Sequence, residues 1–556
     1  MKRVVNSRIR LLLLVTVVVF ASLLAREAWI ATVRAAPLAA MATAQTKATV
    51  TLPAGRGTIF DAVGTPLALG EQATTVYADP HQVRDAHAEA VVAAHVLGLK
   101  VKPIESALAD KSLGFVYVER KAPTDKASEL AKRKLPGFGF YGEERRMYPQ
   151  ASVAAQVLGY AGVDNNGLAG LELQLNSQLT GVPGHETLVR DPTGRPISVE
   201  SVVPARQGKD VFLTIDHSIQ ANAEQVLRST VAKFHAKDAT AIVLDPHTGG
   251  VLAMATAPGY NANNFPNVSP AIETEHAVTD VYEPGSVFKV VTIGGALADH
   301  LVTPHTSFVL PYSIRVADRV IHDAEIRPTE RMTVAQILQR SSNVGAVTIA
   351  RTKLGQTRLK EWIHRFGFGE RTGIDFPGES AGLLPSYWSG STIGNVPIGQ
   401  GISVTAIQLA SVYAAIANGG LWIQPHLVDH VQGVPTPAPK TRRILPRSVD
   451  RELLSMLKGV VSDAGTGEAA AIPGYSVAGK TGTAQKPGAH GYLPGQYEAT
   501  FIGMVPARNP RVVVLVTVDE PHGAYYGGVV AAPAFAQIAT FDLQYLEVPP
   551  DQPVSR

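Results

Sequence analysis

Cysteine is missing altogether from this sequence of 556 residues. Its absence excludes disulfide bonds, catalysis by a thiolate, and zinc or iron–sulfur sites built on cysteine ligands. Net charge is also small, because 50 Lys and Arg against 47 Asp and Glu leave +3, which is too little to indicate a nucleic-acid partner. No long low-complexity tract or fixed-period repeat is evident, so repeat architectures are not expected.

The sixteen histidines give no recognisable metal motif. His426 and His430 lie four residues apart in HLVDH, but no glutamate motif accompanies them, and a metal site needs more than one such pair. We therefore interpret them as ordinary polar residues.

Hydrophobic residues make up 45% of the chain and charged residues 17%, which is typical of a folded protein. At about 100 to 200 residues per domain, the length predicts two to four domains with a sizeable core.

The N-terminus combines basic residues with an apolar run. Four basic residues among the first ten precede LLLLVTVVVFASLLA, which carries no charge and is followed by Arg26. A transmembrane helix needs about 20 apolar residues, a length that is reached if Arg10 and Arg26 extend their stems to the interfaces and Trp29 lies at the far one. We predict an uncleaved membrane anchor with a cytoplasmic N-terminus and everything after the span outside.

The alternative for this segment is a cleaved signal peptide. The small-x-small site at residues 42–44 lies further downstream of the apolar run than cleavage sites normally fall, so the anchor is favoured.

An Ala- and Thr-rich stalk follows the anchor. The sequence pattern then changes near residue 210. Residues 52–205 are dense in Gly and Pro with short strand-like pieces such as FVYVERK, and we expect an irregular, extended module. After it, DVFLTID predicts a strand, and SIQANAEQVLRSTVAKF predicts a helix that Ser218 caps after Asp216.

Two hairpins and a helical stretch define the fold class of the second half. ATAIVLDPHTGGVLAMAT predicts one hairpin, and ATFIGMV with RVVVLVTV predicts another. Residues 284–470 between them are mostly helical in pattern. Strands at both ends with helices in the middle predict one α+β domain whose sheet is closed by distant segments.

A lysine in the apolar run YEPGSVFKVVTIGGAL points to chemistry. Pro284 and Gly285 end the preceding loop, so Ser286 should stand at the start of a helix with Lys289 one turn later on the same face. Burial lowers a lysine pKa, so a neutral amine could take the serine proton, and the amides at the helix start favour developing negative charge. The pair predicts an activated nucleophile.

One Ser-x-x-Lys match is expected on the order of once by chance in a chain of this size, and a surface lysine explains a single match as well. Two further motifs follow in order. LQRSSNVGA supplies Ser341 and Asn343 in a helix followed by a turn, and SVAGKTGTAQK supplies Lys480 to Thr483 on a predicted strand. The three motifs together, in this order, are far more specific than one.

The charged and amide groups of these motifs have separate tasks. Ser341 can relay a proton between Lys289 and a leaving amine, and Asn343 can hold a substrate amide. Lys480 adds positive charge that helps to keep Lys289 neutral.

The strand supplies the remaining contacts to a substrate. Gly482 lets substrate backbone approach closely, and the hydroxyls of Thr481 and Thr483 suit a carboxylate. The backbone amides of Ser286 and Thr483 can form an oxyanion hole. The alternatives are purely structural: Ser-Ser-Asn caps a helix or forms a turn, and Gly482 marks a β-bulge.

With these motifs the sequence resembles the penicilloyl serine transferases, the acyl-serine enzymes that include penicillin-binding proteins and serine β-lactamases. Residues outside the motifs are similar to class B penicillin-binding proteins over nearly all of the chain after the anchor. The matching segments are AGRGTIFDAVGTPLA, ERRMYPQ, GLAGLELQLNSQLTG, RDPTGRPI, PIGQGISVTAIQLASVYAAIANGG and YYGGVVAAPAFAQI. One departure is FDAVG at residues 60–64, where the family often has Asp-Arg-Asn-Gly; it lies in the pedestal and leaves catalysis untouched.

The resemblance implies a D,D-transpeptidase in which Ser286 attacks the D-Ala-D-Ala bond of a peptidoglycan stem peptide, releases D-alanine and passes the acyl group to an amine. It implies no metal and no organic cofactor, and β-lactams that acylate the same serine. It also implies a polytopic membrane glycosyltransferase partner and other division proteins. The localisation it implies is the bacterial plasma membrane, with the catalytic domain extracytoplasmic.

The predicted domains follow the same resemblance. They are a cytoplasmic tail (1–8), a transmembrane anchor (9–30), a stalk (31–51), a pedestal like the penicillin-binding protein dimerisation module (52–205), a transpeptidase domain of antiparallel sheet with packed helices and a helical subdomain (206–548), and a C-terminal tail (549–556).

Four alternatives remain beside this function. A β-lactamase needs a base for deacylation, and ELQLN matches such a motif, but Glu172 precedes Ser286, so we interpret it as a chance match within a pedestal helix. A D,D-carboxypeptidase shares the acyl-enzyme, and a non-catalytic divisome scaffold shares the anchor and pedestal. Within class B, moderate length, Lys-Thr-Gly-Thr and a terminus soon after the catalytic domain favour the septal over the elongation type.

Overall fold

The computed structural model describes residues 2–191, 196–488 and 491–553. Met1 of the predicted cytoplasmic tail, residues 192–195 of the RDPTGRPI motif and residues 554–556 of the predicted C-terminal tail lie outside the described residues. Helices and mostly antiparallel strands occur together in the described chain, and the α+β fold class is confirmed.

The strands are numbered here in chain order. They are β1 (Lys47–Leu52), β2 (Ile59–Phe60), β3 (Pro66–Ala78), β4 (Val116–Pro123), β5 (Phe138–Met147), β6 (Gly184–Arg190), β7 (Pro196–Val203), β8 (Val211–Leu213), β9 (Asp238–Leu244), β10 (Val251–Ala257), β11 (Ser307–Leu310), β12 (Ser313–Val316), β13 (Arg319–His322), β14 (Glu330–Thr333), β15 (Leu421–Ile423), β16 (Val428–Val431), β17 (Thr441–Arg443), β18 (Ala478–Gly488), β19 (Gly491–Val505) and β20 (Val512–Asp519).

The α-helices are numbered in the same way. They are α1 (Lys2–Thr32), α2 (Ala35–Thr46), α3 (Ala86–Leu97), α4 (Val101–Ala109), α5 (Thr124–Lys132), α6 (Ala155–Leu158), α7 (Gly170–Gln174), α8 (Asn176–Leu179), α9 (His217–Phe234), α10 (Pro270–Glu273), α11 (His276–Thr279), α12 (Lys289–Ala298), α13 (Val334–Gln339), α14 (Asn343–Ile349), α15 (Gly355–Phe366), α16 (Thr392–Asn395), α17 (Ala406–Ala417), α18 (Arg447–Val460) and α19 (Gly527–Tyr545).

The chain forms two compact units, and the first comprises Met1–Gly55 with Gly181–Gly208. It contains α1, α2 and an antiparallel sheet in the order β1-β6-β7. Within α1, Asn6–Thr32 is long and apolar enough to cross a membrane. The predicted stalk is helical over α2 and then continues into β1.

The second unit comprises Arg56–Thr180 and Lys209–Arg556. Its first part holds β3 paired with both β4 and β5, and α3, α4 and α5 cover these strands through small apolar cores. The short strand β2 pairs in parallel with β8. Residues before and after the segment Gly181–Gly208, which belongs to the first unit, therefore share one sheet.

A buried ionic cluster fixes the first part of this unit. Arg56 and Arg146 each donate to the carboxylate of Glu172 at 2.6 Å, and all three side chains are almost fully buried. Glu172 lies on α7, so the ELQLN string is a structural element whose carboxylate is fully engaged. Buried charges of this kind are tolerated because each is paired and hydrogen-bonded.

The FDAVG segment forms a tight turn. Asp61 Oδ1 accepts from the amides of Val63 and Thr65, Gly64 has φ +88°, and the other oxygen of Asp61 lies 2.5 Å from His217 Nδ1. The departure from the family pattern therefore keeps an aspartate-capped turn.

The main sheet of the second unit has the order β10-β9-β20-β19-β18 and is antiparallel throughout. Both predicted hairpins are confirmed as β9–β10 and β19–β20. One face packs on α9 and α19 through residues such as Leu227, Phe501 and Phe535. The other face packs on α17, and α12 lies in the same core with α14, α15 and α18.

Two local predictions were wrong. The cap of α9 is Asp216, whose carboxylate accepts from the amides of Ser218 and Ile219, so Ser218 lies inside the helix. A carboxylate at the helix N-terminus also interacts favourably with the helix dipole. Residues 284–470 are less helical than expected, since the short strands β11 to β17 interrupt them.

Candidate active site

The turn that carries Ser286 packs directly against strand β18. Gly285 has φ +56°, and a Cβ added to it would lie 3.1 Å from the carbonyl oxygen of Thr483. Gly285–Phe288 is a 3₁₀ turn, and α12 proper begins only at Lys289, slightly later than predicted. Ser286 therefore lies in a first turn, where amides lack partners within the helix.

Lys289 stands at the centre of the site. Its Nζ lies 2.9 Å from Ser286 Oγ, 3.0 Å from Ser341 Oγ, 2.7 Å from Asn343 Oδ1 and 2.5 Å from the carbonyl oxygen of Ser341. The side chain is fully buried. Burial lowers the pKa of Lys289 well below its ordinary value, and the charge of Lys480 lowers it further, whereas Asp323 opposes the shift.

The Ser-x-Asn motif is shaped by an unusual backbone. Ser341 has φ +57° between α13 and α14, and the Ser342 hydroxyl caps α14 by accepting from the Gly345 amide. Asn343 donates through Nδ2 to the carbonyl of His322 at 3.0 Å. The left-handed residue turns both Ser341 and Asn343 towards Lys289.

Asp323 supports this turn and was not predicted. Its carboxylate accepts from the Ser342 hydroxyl at 3.0 Å and from the Val344 amide at 2.9 Å, and it pairs with Arg327. No spacing rule links Asp323 to the motif, because it reaches the turn only through the β12–β13 hairpin fold.

The Lys-Thr-Gly motif lies on β18, the edge strand of the main sheet, as predicted for a strand. Lys480 is fully buried and donates to the carbonyl of Thr481 at 3.1 Å. Burial lowers the pKa of Lys480 to about 7. Lys480 thus acts on Lys289 by charge, while its own hydrogen bonds stay within the strand.

The hydroxyls of Thr481 and Thr483 make hydrogen bonds with residues outside the motif. Thr481 Oγ1 lies 2.6 Å from Thr466 Oγ1, and Thr483 Oγ1 accepts from the Gly527 amide at 3.0 Å. A Cβ at Gly482 would lie 3.0 Å from the carbonyl oxygen of Pro284, so glycine is needed for the close approach. Thr466 and Gly527 are further residues that spacing could not identify.

The His426 and His430 pair has separate partners. His426 Nδ1 lies 3.2 Å from the Gln424 carbonyl, and His430 Nδ1 lies 2.7 Å from Asp429. Nothing in this arrangement brings the two imidazoles to one ligand.

The fold and this cluster define a class of protein: a serine acyltransferase with a nucleophile on a helix, a Ser-x-Asn turn and a Lys-Thr-Gly edge strand. Comparison with family models gives the family. Residues 239–540 match the penicillin binding protein transpeptidase domain, and residues 51–213 match the penicillin-binding protein dimerisation domain. The chain belongs to the class B penicillin-binding proteins.

Relatives agree over nearly the whole chain. The peptidoglycan D,D-transpeptidase FtsI of Escherichia coli is 33% identical over 96% of this chain and 90% of its own length. The probable peptidoglycan D,D-transpeptidase PenA of Neisseria meningitidis is 34% identical over 99% of this chain and 94% of its own. Penicillin-binding protein PbpB of Mycobacterium tuberculosis is 35% identical over 93% of this chain and 81% of its own.

Solved structures agree as well. Penicillin binding protein 3 of Mycobacterium tuberculosis complexed with aztreonam has a TM-score of 0.72 at 30% identity, covering 91% of this chain and 99% of that one. A peptidoglycan synthetase of Bifidobacterium adolescentis has a TM-score of 0.73 at 28% identity, covering 92% of this chain and 98% of that one.

Proposed function

We propose that the chain is a membrane-anchored peptidoglycan D,D-transpeptidase that works through an acyl-enzyme on Ser286. The observation that carries this function is the buried amine of Lys289, 2.9 Å from the Ser286 hydroxyl and in contact with both Ser341 and Asn343. Family membership and relatives named as peptidoglycan D,D-transpeptidases support it.

In the acylation step, neutral Lys289 takes the proton of Ser286 while Oγ attacks the carbonyl carbon between the two D-alanines. The backbone amides of Ser286 and Thr483 stabilise the resulting oxyanion. When the C–N bond breaks, Ser341 passes the proton from Lys289 to the departing amine, so D-alanine leaves neutral at nitrogen and the acyl-enzyme remains.

In the transfer step, an amine of a neighbouring strand attacks the ester carbonyl. Its proton goes to Lys289 and then back to Ser286 Oγ, so the enzyme is regenerated and one amide has replaced another. The side-chain amide of Asn343 holds a peptide amide of the substrate.

Strand β18 is proposed as the surface that receives the substrate. An edge strand has unpaired main-chain groups, so an extended peptide can pair with it. The hydroxyls of Thr481 and Thr483 bind the terminal carboxylate, with Lys480 beneath them, and Gly482 permits the close approach. β-Lactams, which share the carboxylate and the reactive amide, acylate Ser286 in the same way.

A fluorescent penicillin tests this function on the full chain in detergent. Wild type should form a covalent adduct, and Ser286→Ala should form none. An adduct that survives Ser286→Ala, or no adduct on folded wild type, contradicts the assignment and favours the scaffold alternative. Release of D-alanine with an amine acceptor, compared with water alone, separates transfer from D,D-carboxypeptidase activity.

The septal role rests on the relatives. FtsI of Escherichia coli matches over most of this chain, which favours cross-linking at the division site over lateral elongation. A fluorescent fusion should concentrate at mid-cell; uniform peripheral signal would favour the elongation type.

The orientation follows from α1. Basic residues before the span favour a cytoplasmic N-terminus, which places the catalytic domain outside the plasma membrane. External protease should cut the catalytic domain in spheroplasts, whereas protection in intact spheroplasts would reverse the topology.

A polytopic glycosyltransferase and other division proteins are proposed as partners that bind the anchor and pedestal, because cross-linking requires newly polymerised glycan nearby. Co-purification in a detergent that preserves the partner's fold should recover the pair. Failure to recover it would count against the partnership.

Domain limits are proposed as predicted, with a pedestal at 52–205 and a transpeptidase domain at 206–548. The family matches at 51–213 and 239–540 support them. The pairing of β2 with β8 implies that separating the two domains exposes a sheet edge, so a chain starting at residue 206 should be less stable to heat than the full extracytoplasmic part.

A further inference from the structure

Glu283, three residues before the nucleophile, joins three segments of the chain. Its side chain is buried, and each oxygen has one partner: Oε1 accepts from the Gly401 amide at 2.8 Å, and Oε2 accepts from the Tyr492 hydroxyl at 2.9 Å. Tyr492 lies near the start of β19, on the outer part of the β18–β19 hairpin that carries the Lys-Thr-Gly motif at its base.

On one side of the nucleophile loop, main-chain contacts already fix the position. Gly285 donates to the Gly399 carbonyl at 3.1 Å, and Tyr282 exchanges two hydrogen bonds with Val404. A Cβ at Gly399 would lie 2.2 Å from the carbonyl oxygen of Gly285, so the two backbones are in direct contact. This side therefore has main-chain hydrogen bonds of its own beside the one between Glu283 and Gly401.

On the other side, the base of the hairpin lies against the loop, where Gly482 faces Pro284 and Thr483 faces Gly285. Further out, the β18–β19 register shifts between Gln485 and Pro487, and the outer residues are more exposed. Lys486 of this outer part pairs with Asp519 and Glu520 at the end of β20, which ties the hairpin to the sheet but not to the nucleophile loop. The Tyr492–Glu283 hydrogen bond attaches the outer hairpin to the loop itself.

We propose that Tyr492 is a positioning residue for acylation: through Glu283 it holds the outer β18–β19 hairpin against the nucleophile loop and so fixes the spacing between Ser286 and strand β18. The inference rests on the transpeptidase function proposed above. The two amides of the oxyanion hole belong to Ser286 and Thr483, one on each of the bodies that this bond ties together. A small change in their spacing weakens stabilisation of the transition state more than binding of the ground state.

The chemistry of the pair suits a hydrogen bond in which Tyr492 donates to Glu283, although burial also raises the pKa of Glu283. Burial and the nearby charge of Glu283 raise the pKa of Tyr492, so the phenol remains a hydrogen-bond donor. A hydrogen bond to a carboxylate is stronger and shorter than one between neutral groups.

The test is Tyr492→Phe in the full chain, with benzylpenicillin as the probe. Rapid-mixing kinetics separate the dissociation constant of the noncovalent complex from the acylation rate constant. We expect the acylation rate constant to fall by about tenfold while the dissociation constant changes by less than about twofold. A general loss of folded protein would instead lower the amplitude of the reaction and leave both the acylation rate constant and the dissociation constant unchanged.

Glu283→Gln completes a double-mutant cycle. If the two side chains act as one link, the double variant acylates no more slowly than the slower single variant. Should Glu283→Gln fail to fold, hydrogen exchange in Tyr492→Phe decides: faster exchange in residues 491–498 supports the link, and unchanged exchange contradicts it.

The matched control is Tyr475→Phe, which removes a hydroxyl that donates to the Val548 carbonyl at 2.6 Å, away from the nucleophile loop. It should acylate at the wild-type rate. A wild-type rate in Tyr492→Phe, or multiplicative effects in the cycle, overturns the inference, whereas a wild type that forms no adduct overturns the proposed function instead.

Discussion

Two apolar helices of this chain, α1 and α12, differ in where their charged residues lie and in whether those residues are buried. In α1 the side chains from Asn6 to Trp29 are exposed, and the charged residues lie towards its ends. In α12 every residue from Lys289 to Leu297 is buried, although the first is a lysine. The described residues provide no cover for α1, which suits lipid, whereas the protein core covers α12.

The difference teaches what a buried lysine requires. Lys289 is surrounded by four oxygen atoms, from Ser286, Ser341 and Asn343, which hydrogen-bond its amine without supplying a negative charge. These oxygen atoms hydrogen-bond the buried amine, while burial and the charge of Lys480 lower its pKa and so favour the neutral form. The described residues offer no such partners to the middle of α1, so a lysine there would meet only lipid if α1 spans the membrane.

Replacing Lys289 by Met should have the largest effect. Loss of the proposed general base should slow acylation by benzylpenicillin about 100- to 10,000-fold, measured as adduct formation over time. Lys353→Met, at an exposed lysine, serves as the control. Acylation of Lys289→Met at the wild-type rate would show that this amine is not the base.

A lysine introduced into the middle of α1 tests whether this helix lacks the polar partners that surround Lys289. Val17→Lys should disfavour membrane insertion by about 2.5 to 3.5 kcal/mol, because no oxygen atoms replace water around the ammonium. The insertion efficiency of α1 in a translocation reporter measures the effect, with Val17→Leu as the control. Equal insertion of both variants would argue against a span centred on this residue.

Lys480 should make stability depend on pH. Its folded pKa is lowered to about 7, so above that pH the folded chain lacks a proton that the unfolded lysine holds up to its ordinary pKa near 10.5. Stability therefore rises with pH over this window, and it loses this gain as pH falls towards 7. Between pH 7 and 9 the wild-type free energy of unfolding should increase relative to Lys480→Met, on the order of 2 kcal/mol.

Urea unfolding of the extracytoplasmic part at both pH values measures this difference. An equal change in the two proteins would mean that Lys480 keeps its proton when folded.

The smallest effect is expected at the turn that presents Ser341 and Asn343. Ser342→Ala removes the cap of α14 and one hydrogen bond to Asp323, which should cost about 1 kcal/mol of stability. Chemical unfolding measures it, with Ser389→Ala at an exposed serine as the control. A loss no greater than that of the control would show that the cap is dispensable.

Local patterns predicted much of the fold correctly. The short apolar runs in ATAIVLDPHTGGVLAMAT, ATFIGMV and RVVVLVTV predicted the hairpins, because runs of this length bounded by turn residues are typical of strands buried on both faces. Ser218 was misassigned as a cap because Asp216 and Ser218 are both good capping residues, and only the dihedral angles decide where a helix begins.

The candidate site likewise contains residues that local motifs predict and residues that only the fold brings together. Ser286, Lys289, Ser341, Asn343 and Lys480 were predicted from motif order, because the proposed chemistry requires each residue type at a fixed spacing. Asp323, Thr466 and Tyr492 could not be found in this way, since each makes its contact from a segment outside the three motifs.

The sequence by itself determined the chemistry available to this protein: a serine one helical turn from a lysine, two supporting motifs and an apolar N-terminal run. Only the tertiary structure decided that Lys289 is desolvated and ringed by oxygen atoms, that Lys480 lies close enough to repel its charge, and that Tyr492 reaches Glu283. The physical reason is that spacing along a chain fixes contacts within one helical turn or one hairpin, whereas burial and charge coupling depend on segments that meet only after folding.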